Sequence, residues 1–487
     1  MNPLKKLAGQ TAVYGLSTIL GRAINYALVP FYTYLFDAPA DFGTNTEFFA
    51  YISFLNVIFT YGMETALFNF SNSEPDKQKV YHTALVSVGV STLVLVLPFL
   101  LFAGPVSGML RYPGHADFII WCILIVGTDA VAAVPFAKLR EQNKARRFAA
   151  IKLVNIFVNV LLNLFFIGWC KSEYEHGTGS FWAGLYNPNI GIGYAFVANL
   201  AANMVSLLLL LPDMRAPKYD FDRELWKRMM RYALPLLVVG LAGMVNETLD
   251  RVLLKYMLPE SQAMTDVGIY GACYKIAILM TIFRMAFQYA AEPFFFAQQK
   301  EGENKKVYAR VMKYFVIACS IIFLGTMVNM SWIQYLVGTE YRSGLGVVPI
   351  LLLANLALGI YFNLSIWYKL TNRTMFGAWL TLAGAAITVG LNIFWIPRIG
   401  YMGSAWATLI CYSFMAIASY YFGQKYFPVK YSVRRILTYL AIAIGLFLLS
   451  TLISTGSFWP DLLLKNVLLV PYLLLLWKLE GPALRKK

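Results

Sequence analysis

Apolar runs of about twenty residues, each long enough to cross the hydrocarbon core of a bilayer, recur from one end of this chain to the other. The lysines and arginines fall almost entirely in every second gap between them. That alternation predicts an all-α polytopic membrane protein. About fourteen segments begin near Gln10, Phe48, Val80, Phe118, Phe148, Ile190, Arg231, Val267, Val311, Gly346, Phe376, Met402, Ile436 and Leu462. With 59% hydrophobic and 14% charged residues, the chain is solvated mainly by lipid and by itself. A net charge of +16 gathered in one exposed patch would suit a nucleic-acid partner. Here it is spread over short loops, so it reads as a topology signal, and no nucleic acid is expected.

Counting the loops sets the orientation. Basic residues cluster before segment 1 (Lys5, Lys6) and after segments 2 (Lys77, Lys79), 4 (Lys138 to Arg147), 6 (Arg215 to Arg228), 8 (Lys300 to Lys306), 10 (Lys369, Arg373), 12 (Lys425 to Arg435) and 14 (Arg485 to Lys487). The other gaps hold Arg111, Lys171, Arg342, Arg398 and Lys465. About twenty-six against about five places the first set in the cytoplasm, and an even segment number puts both termini there. Lys5 and Lys6 ahead of an apolar run suggest a signal peptide, but the run continues past Leu28 without a short core or a small-residue cleavage site, so segment 1 is expected to be retained. The five cysteines and three histidines are scattered singly, without metal-ligand spacing. Neither a metal nor a cofactor is expected.

The segments divide into two pseudo-repeated six-helix lobes plus two C-terminal helices. The expected boundaries are 1–213, a cytoplasmic linker at 214–230, 231–424, and 425–487. Tyr14-Gly-Leu opens segment 1 as Tyr232-Ala-Leu opens segment 7, and Phe42-Gly43 precedes segment 2 as Val267-Gly268 precedes segment 8. Met63 to Phe70 then matches Gln288 to Phe295 in relative position. The polar, basic stretch from Pro212 to Met230 is expected to carry a short interfacial helix. Repeated bundles are a transporter design, in which two lobes give alternating access to a site near the bilayer midplane.

Chemistry is expected where charge lies inside apolar segments, because ionisable groups there are costly unless they face a polar interior. Segment 1 places Thr11, Gly15, Thr18, Arg22, Asn25, Tyr26 and Thr33 on one stripe, and segment 2 answers with Ser53, Asn56, Thr60 and Glu64. Arg22 and Glu64 either serve a substrate or lock the two helices together. Segment 7 gathers Asn246, Glu247, Asp250 and Arg251, where Glu247 to Arg251 is a favourable i,i+4 pair. Segment 8 carries Tyr274, Thr281, Arg284, Gln288 and Glu292 on one face. Lys275 joins that face only if the helix is broken or bent. Asp129 in segment 4 has a coupling-ion or proton role, or bridges to Arg22 or Lys152. Asn155, Asn159, Asn163, Asn199 and Asn203 read chiefly as interhelical glue. Lys152 and Lys255, near segment ends, read as snorkelling to the surface.

No glycine-rich phosphate loop ending in lysine and a hydroxyl residue argues for an ATP-driven pump, so an ion gradient or the substrate's own gradient is the expected drive. No stretch outside the apolar segments is long enough for a catalytic domain. Glu173 and Glu175 in the outer loop read as solvated carboxylates, and the chain is not expected to be an enzyme.

The stretch Gln10 to Phe36, with Val29, Pro30, Tyr32 and Thr33 at its end and Gly43 following, resembles the opening of bacterial polysaccharide flippases of the Wzx type. Segment count, the two six-helix halves and length extend the resemblance over nearly the whole chain. The chain departs from the usual form at the inserted Asp37 to Asp41 and the polar Thr44, Asn45 and Thr46. The resemblance implies membership of the multidrug/oligosaccharidyl-lipid/polysaccharide exporter superfamily, which also holds lipid II flippases and multidrug and toxin extrusion antiporters. It implies a bacterial inner-membrane protein moving an undecaprenyl-pyrophosphate-linked oligosaccharide from the cytoplasmic to the periplasmic leaflet. The protein would work as a monomer among membrane lipids, with H+ or Na+ as coupling ion and a polysaccharide polymerase as neighbour. A pyrophosphate needs cationic partners inside the bundle. Arg22 and Arg284 are the first candidates, with Arg251 and Lys275 nearer the outside. Asn25, Tyr26, Asn56 and Gln288 are candidates for glycan contact, and Glu64, Asp129, Asp250 and Glu292 for coupling or ion pairing. A cation-coupled multidrug antiporter is the competing class and requires a net acidic cavity with Glu64, Asp129 and Asp250 unpaired.

Overall fold

A computed structural model of the protein describes residues 19–485 apart from 22, 25, 37, 216–219 and 301–304, and leaves the side chains of 290, 292–294, 296–300 and 481–485 undescribed. Arg22 and Asn25 thus lie outside the described residues, as does the side chain of Glu292.

Every regular element among the described residues is helical. After α1 (26–35) come α2 (Pro39–Thr60), α3 (Met63–Ser73), α4 (Lys77–Leu101), α5 (Ala103–Met109), α6 (Ala116–Glu141), α7 (Ala145–Asn163), α8 (Lys171–Glu175), α9 (Tyr194–Met214), α10 (Arg223–Met257) and α11 (Glu260–Ile276). The chain continues through α12 (Ile278–Lys300), α13 (Lys305–Val328), α14 (Met330–Ile333), α15 (Val347–Leu364), α16 (Ile366–Leu370), α17 (Met375–Ile399), α18 (Tyr401–Tyr426), α19 (Val433–Thr451), α20 (Phe458–Val467) and α21 (Leu469–Arg485). A π-helical turn, Leu164–Cys170, joins α7 to α8 in one long rod.

Eleven helices among the described residues are long and apolar enough to cross a membrane, or twelve if α11 and α12 form one bent span. The expected count of fourteen is therefore not reached. The first segment lies largely outside the described residues. The second, α2, carries Asp41, Thr44, Asn45, Thr46 and Glu47 in its first half, which lowers its apolarity. Apolar side chains in α4 show how these helices meet lipid. Val80, Ala84 and Val88 are buried, while Val90, Leu93, Val94, Leu97 and Leu101 form an exposed stripe at helical spacing.

The chain divides into two compact units, Met1–Gly271 and Ala272–Lys487. In the first, α6 is the central helix, packed by α2, α4, α5 and α9, around a core that includes Phe48, Phe118 and Phe196. α10 packs on α2, α3 and α4. The linker differs from its expected form. Instead of a separate interfacial helix, residues from Arg223 onward begin the 35-residue α10. Its start is fixed by Asp222, whose Oδ1 accepts from the backbone N–H groups of Glu224 (2.9 Å) and Leu225 (3.0 Å), while Lys79 Nζ lies 2.9 Å from Oδ2. Those cap bonds and the lysine hold the Asp222 carboxyl at about 2, below its ordinary 3.8. A depressed value means that the cap stabilises the fold above pH 3.8 and fades as pH falls toward 2. Thermal melts of the full chain over that range are expected to decline less steeply for Asp222→Asn than for the wild type, because the variant has no charge there to lose.

α2 ends at Tyr61 and Gly62, both with positive φ (35° and 75°), which turns the chain into α3. A Cβ at Gly62 would stand 3.0 Å from Leu236 Cβ and 3.1 Å from the Ala233 carbonyl, so the turn also lets α10 approach closely.

In the second unit, α15 is buried along most of its length and packs on α12, α13 and α18, with α17 against α18. α19 leans on α13. The buried Glu480 of α21 joins these helices, binding Lys313 of α13 and accepting from Tyr439 Oη of α19 at 2.7 Å. Tyr472 Oη donates to Ser320 at 2.6 Å.

Candidate functional site

The charge inside the first unit gathers in three places. The most deeply buried is a pair that the sequence reading did not single out. Glu47 of α2 is 0% exposed, and its Oε2 lies 2.9 Å from Nζ of Lys255 at the end of α10. Lys255 also donates to the Leu110 carbonyl at 2.6 Å and stands 3.7 Å from the centre of the Tyr112 ring. Tyr112 Oη donates to Glu47 Oε2 at 2.5 Å, and Tyr51 Oη donates to Oε1. Lys255 is 2% exposed and does not snorkel. A carboxylate within bonding distance outcompetes the route to the surface. The clue available in the sequence was Glu47 itself, an acid beside Phe48 and Phe49 within an apolar segment.

The second place lies on α10. Asp250 is buried and accepts from Tyr270 Oη at 2.6 Å, from the Arg251 backbone N–H at 2.9 Å and from Arg251 Nη1 at 3.3 Å. Arg251 donates to the backbone carbonyl of Glu247 at 2.6 Å, whereas the Glu247 residue is exposed. The expected i,i+4 pair through the Glu247 carboxylate is thus replaced by one with Asp250, because Glu247 faces outward and Asp250 inward.

The third spans α2, α3, α6, α7 and α9. Glu64 binds Arg140, so the carboxylate expected to face Arg22 has a partner on α6. Asp129 Oδ1 accepts from Asn203 Nδ2 at 3.0 Å, and the Asn56 amide reaches the same carboxylate. Asn155 Nδ2 donates to Asn203 Oδ1 (3.1 Å) and Ser206 Oγ (3.0 Å), the gluing role expected of these amides. Lys152 is half-buried. Its ammonium lies 4.2 Å from the centre of the Phe136 ring, with Asp129, Glu64 and Arg140 as its charged neighbours. It faces the interior of the bundle instead of snorkelling.

The second unit holds Arg284 on α12, only 7% exposed, with its guanidinium 5.0 Å from the Phe362 ring and its buried Nε without a hydrogen-bond partner among the described residues. It lines a cavity of about 20 Å³ together with Gln288, Asn363, Ser365 and Lys369 and a wall of Phe287, Phe315 and Phe362. The Asn363 Oδ1 is likewise buried without a partner. Among the described residues, two cations and no carboxylate line the cavity. Lys369 and Asn363 were not anticipated as site residues, since Lys369 was counted only among loop charges. α16 brings it back to the wall.

The eighth segment is broken just after Lys275, where α11 and α12 meet at an angle of 51°. Lys275 and Tyr26 are both half-buried. Of the glycan candidates, Gln288 lines the Arg284 cavity and Asn56 belongs to the Asp129 cluster.

No curated relative matches the sequence at a significant level. Among solved structures, the fold is similar to the lipid II flippase MurJ in an inward closed conformation, with a TM-score of 0.74 at 12% identity over 97% of this chain and 99% of that one. It is also similar to the multidrug transporter DinF-BH, a MATE protein, with a TM-score of 0.61 at 15% identity over 87% and 96% of the two chains. The eukaryotic MATE transporter AtDTX14 gives a TM-score of 0.54 at 14% identity over 85% and 93%. At these identities the likeness is one of fold: a polytopic helical bundle shared by flippases and transporters, as the sequence predicts. Residues 7–299, more than half of the 487, match the family described as polysaccharide biosynthesis protein, and the chain belongs to that family.

Proposed function

We propose that this protein is a flippase that carries an undecaprenyl-pyrophosphate-linked oligosaccharide from the cytoplasmic to the periplasmic leaflet of a bacterial inner membrane by alternating access. The observation that carries this reading is the Arg284 cavity. A buried guanidinium whose Nε has no partner among the described residues, a second cation and no described carboxylate on the wall suit a phosphate-bearing head group. At about 20 Å³ the cavity holds a water molecule and no sugar, so the site must widen as the cycle proceeds. The pairing of Glu64 with Arg140 and of Asp250 with Arg251 weighs against an acidic cavity for a cationic drug. Family membership and the flippase-like fold support a lipid-linked substrate. No catalytic step is required. The protein acts as a monomer with both termini in the cytoplasm, the two six-helix lobes rock about the site, and a polymerase takes the product. Arg22, Arg251 and Lys275 would complete the cationic path, and Asn25, Tyr26, Asn56 and Gln288 would meet the glycan.

Deleting the gene and extracting membrane lipids for mass spectrometry tests the reading. Undecaprenyl-pyrophosphate oligosaccharides are expected to accumulate and to clear on complementation with the wild type. Arg284→Ala is expected to lower clearance by about tenfold or more, the loss of one charge-assisted contact of roughly 1.5–3 kcal/mol. Arg284→Lys should recover part of it as a point charge without the bidentate fork. Accumulation of lipid II alone would move the protein to peptidoglycan synthesis. No accumulation, with new sensitivity to cationic drugs, would sink the flippase reading.

A further inference from the structure

Asp129 sits near the middle of the membrane-spanning α6, where a carboxylate is costly unless something balances it. Among the described residues it has no ion pair within 4.0 Å. Its hydrogen-bond donor is the neutral amide of Asn203, and the neutral Asn56 amide lies beside it. The Asn56 amide that reaches Asp129 turns its other end, Oδ1, into a buried position with no hydrogen-bond partner. An anionic carboxylate and an orphaned carbonyl oxygen therefore belong to one buried cluster, whose amides Asn203 and Asn155 are tied together and to Ser206. Such a set of hard oxygen donors suits a small cation.

Among the described residues, the cation beside Asp129 belongs to the chain itself. Lys152 lies about two turns into α7, and its ammonium has neither a hydrogen bond nor an ion pair among the described residues. It rests on the face of Phe136, a weak cation–π contact that holds the charge without satisfying its three donors. Asp129 and Glu64 attract it and Arg140 repels it, while Glu64 and Arg140 already neutralise each other. Among the described residues, that leaves Asp129 as the unmatched charge facing the lysine.

We propose that Lys152 is a tethered cation that serves the Asp129–Asn56 site in place of a soluble monovalent ion. The ammonium moves between the Phe136 face and the two oxygens, so the first unit cycles without taking up Na+ there. A lysine suits this work because it is a compact point charge on a flexible four-carbon stem, whereas arginine carries a planar fork. It follows that removing the ammonium exposes an ion site that the wild type does not offer, whatever substrate the protein carries.

The test uses the purified full chain in detergent, with thermal midpoints compared in about 0.1 M NaCl, LiCl or choline chloride. The wild type is expected to melt alike in all three. Lys152→Met should melt about 2–4 °C higher in Na+ or Li+ than in choline, and the double variant Lys152→Met/Asp129→Asn should lose that difference. A Lys152→Met protein indifferent to the alkali ions overturns the proposal. So does a wild type whose midpoint already rises with Na+ in a way that Asp129→Asn abolishes. If Lys152→Met fails to accumulate, the charge-neutral double variant should restore accumulation, and failure of both shows that Lys152 acts only through packing.

Discussion

Lys255→Met is expected to destabilise the protein by about 3–5 kcal/mol, the usual consequence of leaving one charge of a buried pair without its partner. The side chains of Lys255 and Glu47 are 3% and 0% exposed, so solvent cannot take over for the missing ammonium. Tyr51 and Tyr112 still donate to the carboxylate, but they supply no positive charge. The backbone carbonyl of Leu110 also loses its donor. Thermal melts of the purified full chain check the single variant. The cycle with Glu47→Gln isolates the pair: the double variant should recover most of the loss, because two neutral groups of similar shape replace two buried charges. Equal melts for Lys255→Met and the wild type would mean that water reaches Glu47 after all.

Gly268→Val carries the second large effect. A Cβ at Gly268 would stand 1.8 Å from the Pro39 carbonyl oxygen and 2.7 Å from its carbon, and one at Gly43 would stand 2.2 Å from the Met264 carbonyl oxygen. These are backbone atoms that no rotamer change can remove, so α2 and α11 would have to move apart. Overpacking of this kind costs about 1–3 kcal/mol or more and should lower both the thermal midpoint and the yield of folded protein. Gly271→Ala is the graded control. Its nearest atom is Thr46 Oγ1 at 2.6 Å, the end of a side chain that can turn away. Gly89→Ala meets nothing within 4 Å in the middle of α4 and should stabilise by about 0.5–1 kcal/mol. A valine at 268 that melts like the alanine at 89 would refute the close crossing.

Those glycines show how far the sequence could be read. Phe42-Gly43 and Val267-Gly268 stand out from sequence alone as equivalent positions ahead of two segments. The structure puts both inside helices, since α2 begins at Pro39 and α11 at Glu260, and it brings them together. A Cβ on either would lie 3.0–3.1 Å from the backbone nitrogen of the other. The repeat was legible because sequence preserves local pattern. The meeting was not, because nothing local tells a helix which neighbour it will cross.

The same division runs through the charges. Arg284 was legible as a cavity candidate because a cation deep in an apolar run is too costly to leave facing lipid. Its companions Asn363 and Lys369 were not, being far along the chain and brought close only by the packing of α12 and α15 and the short α16. Arg251 had two acids within helical reach, and only the direction each one faces chose Asp250.

By itself the sequence determined that this chain is a helical membrane protein, where most of its apolar helices run, and which family it resembles. These properties follow from apolar length and the placement of charge, and each is a sum over neighbouring residues. Tertiary structure alone decided which charges are paired: Glu47 with Lys255, Glu64 with Arg140, and Glu480 with Lys313, each joining helices distant in sequence. The physical reason is that the energy of a buried charge depends on what lies within a few ångströms of it, and in a bundle of helices those neighbours come from other parts of the chain.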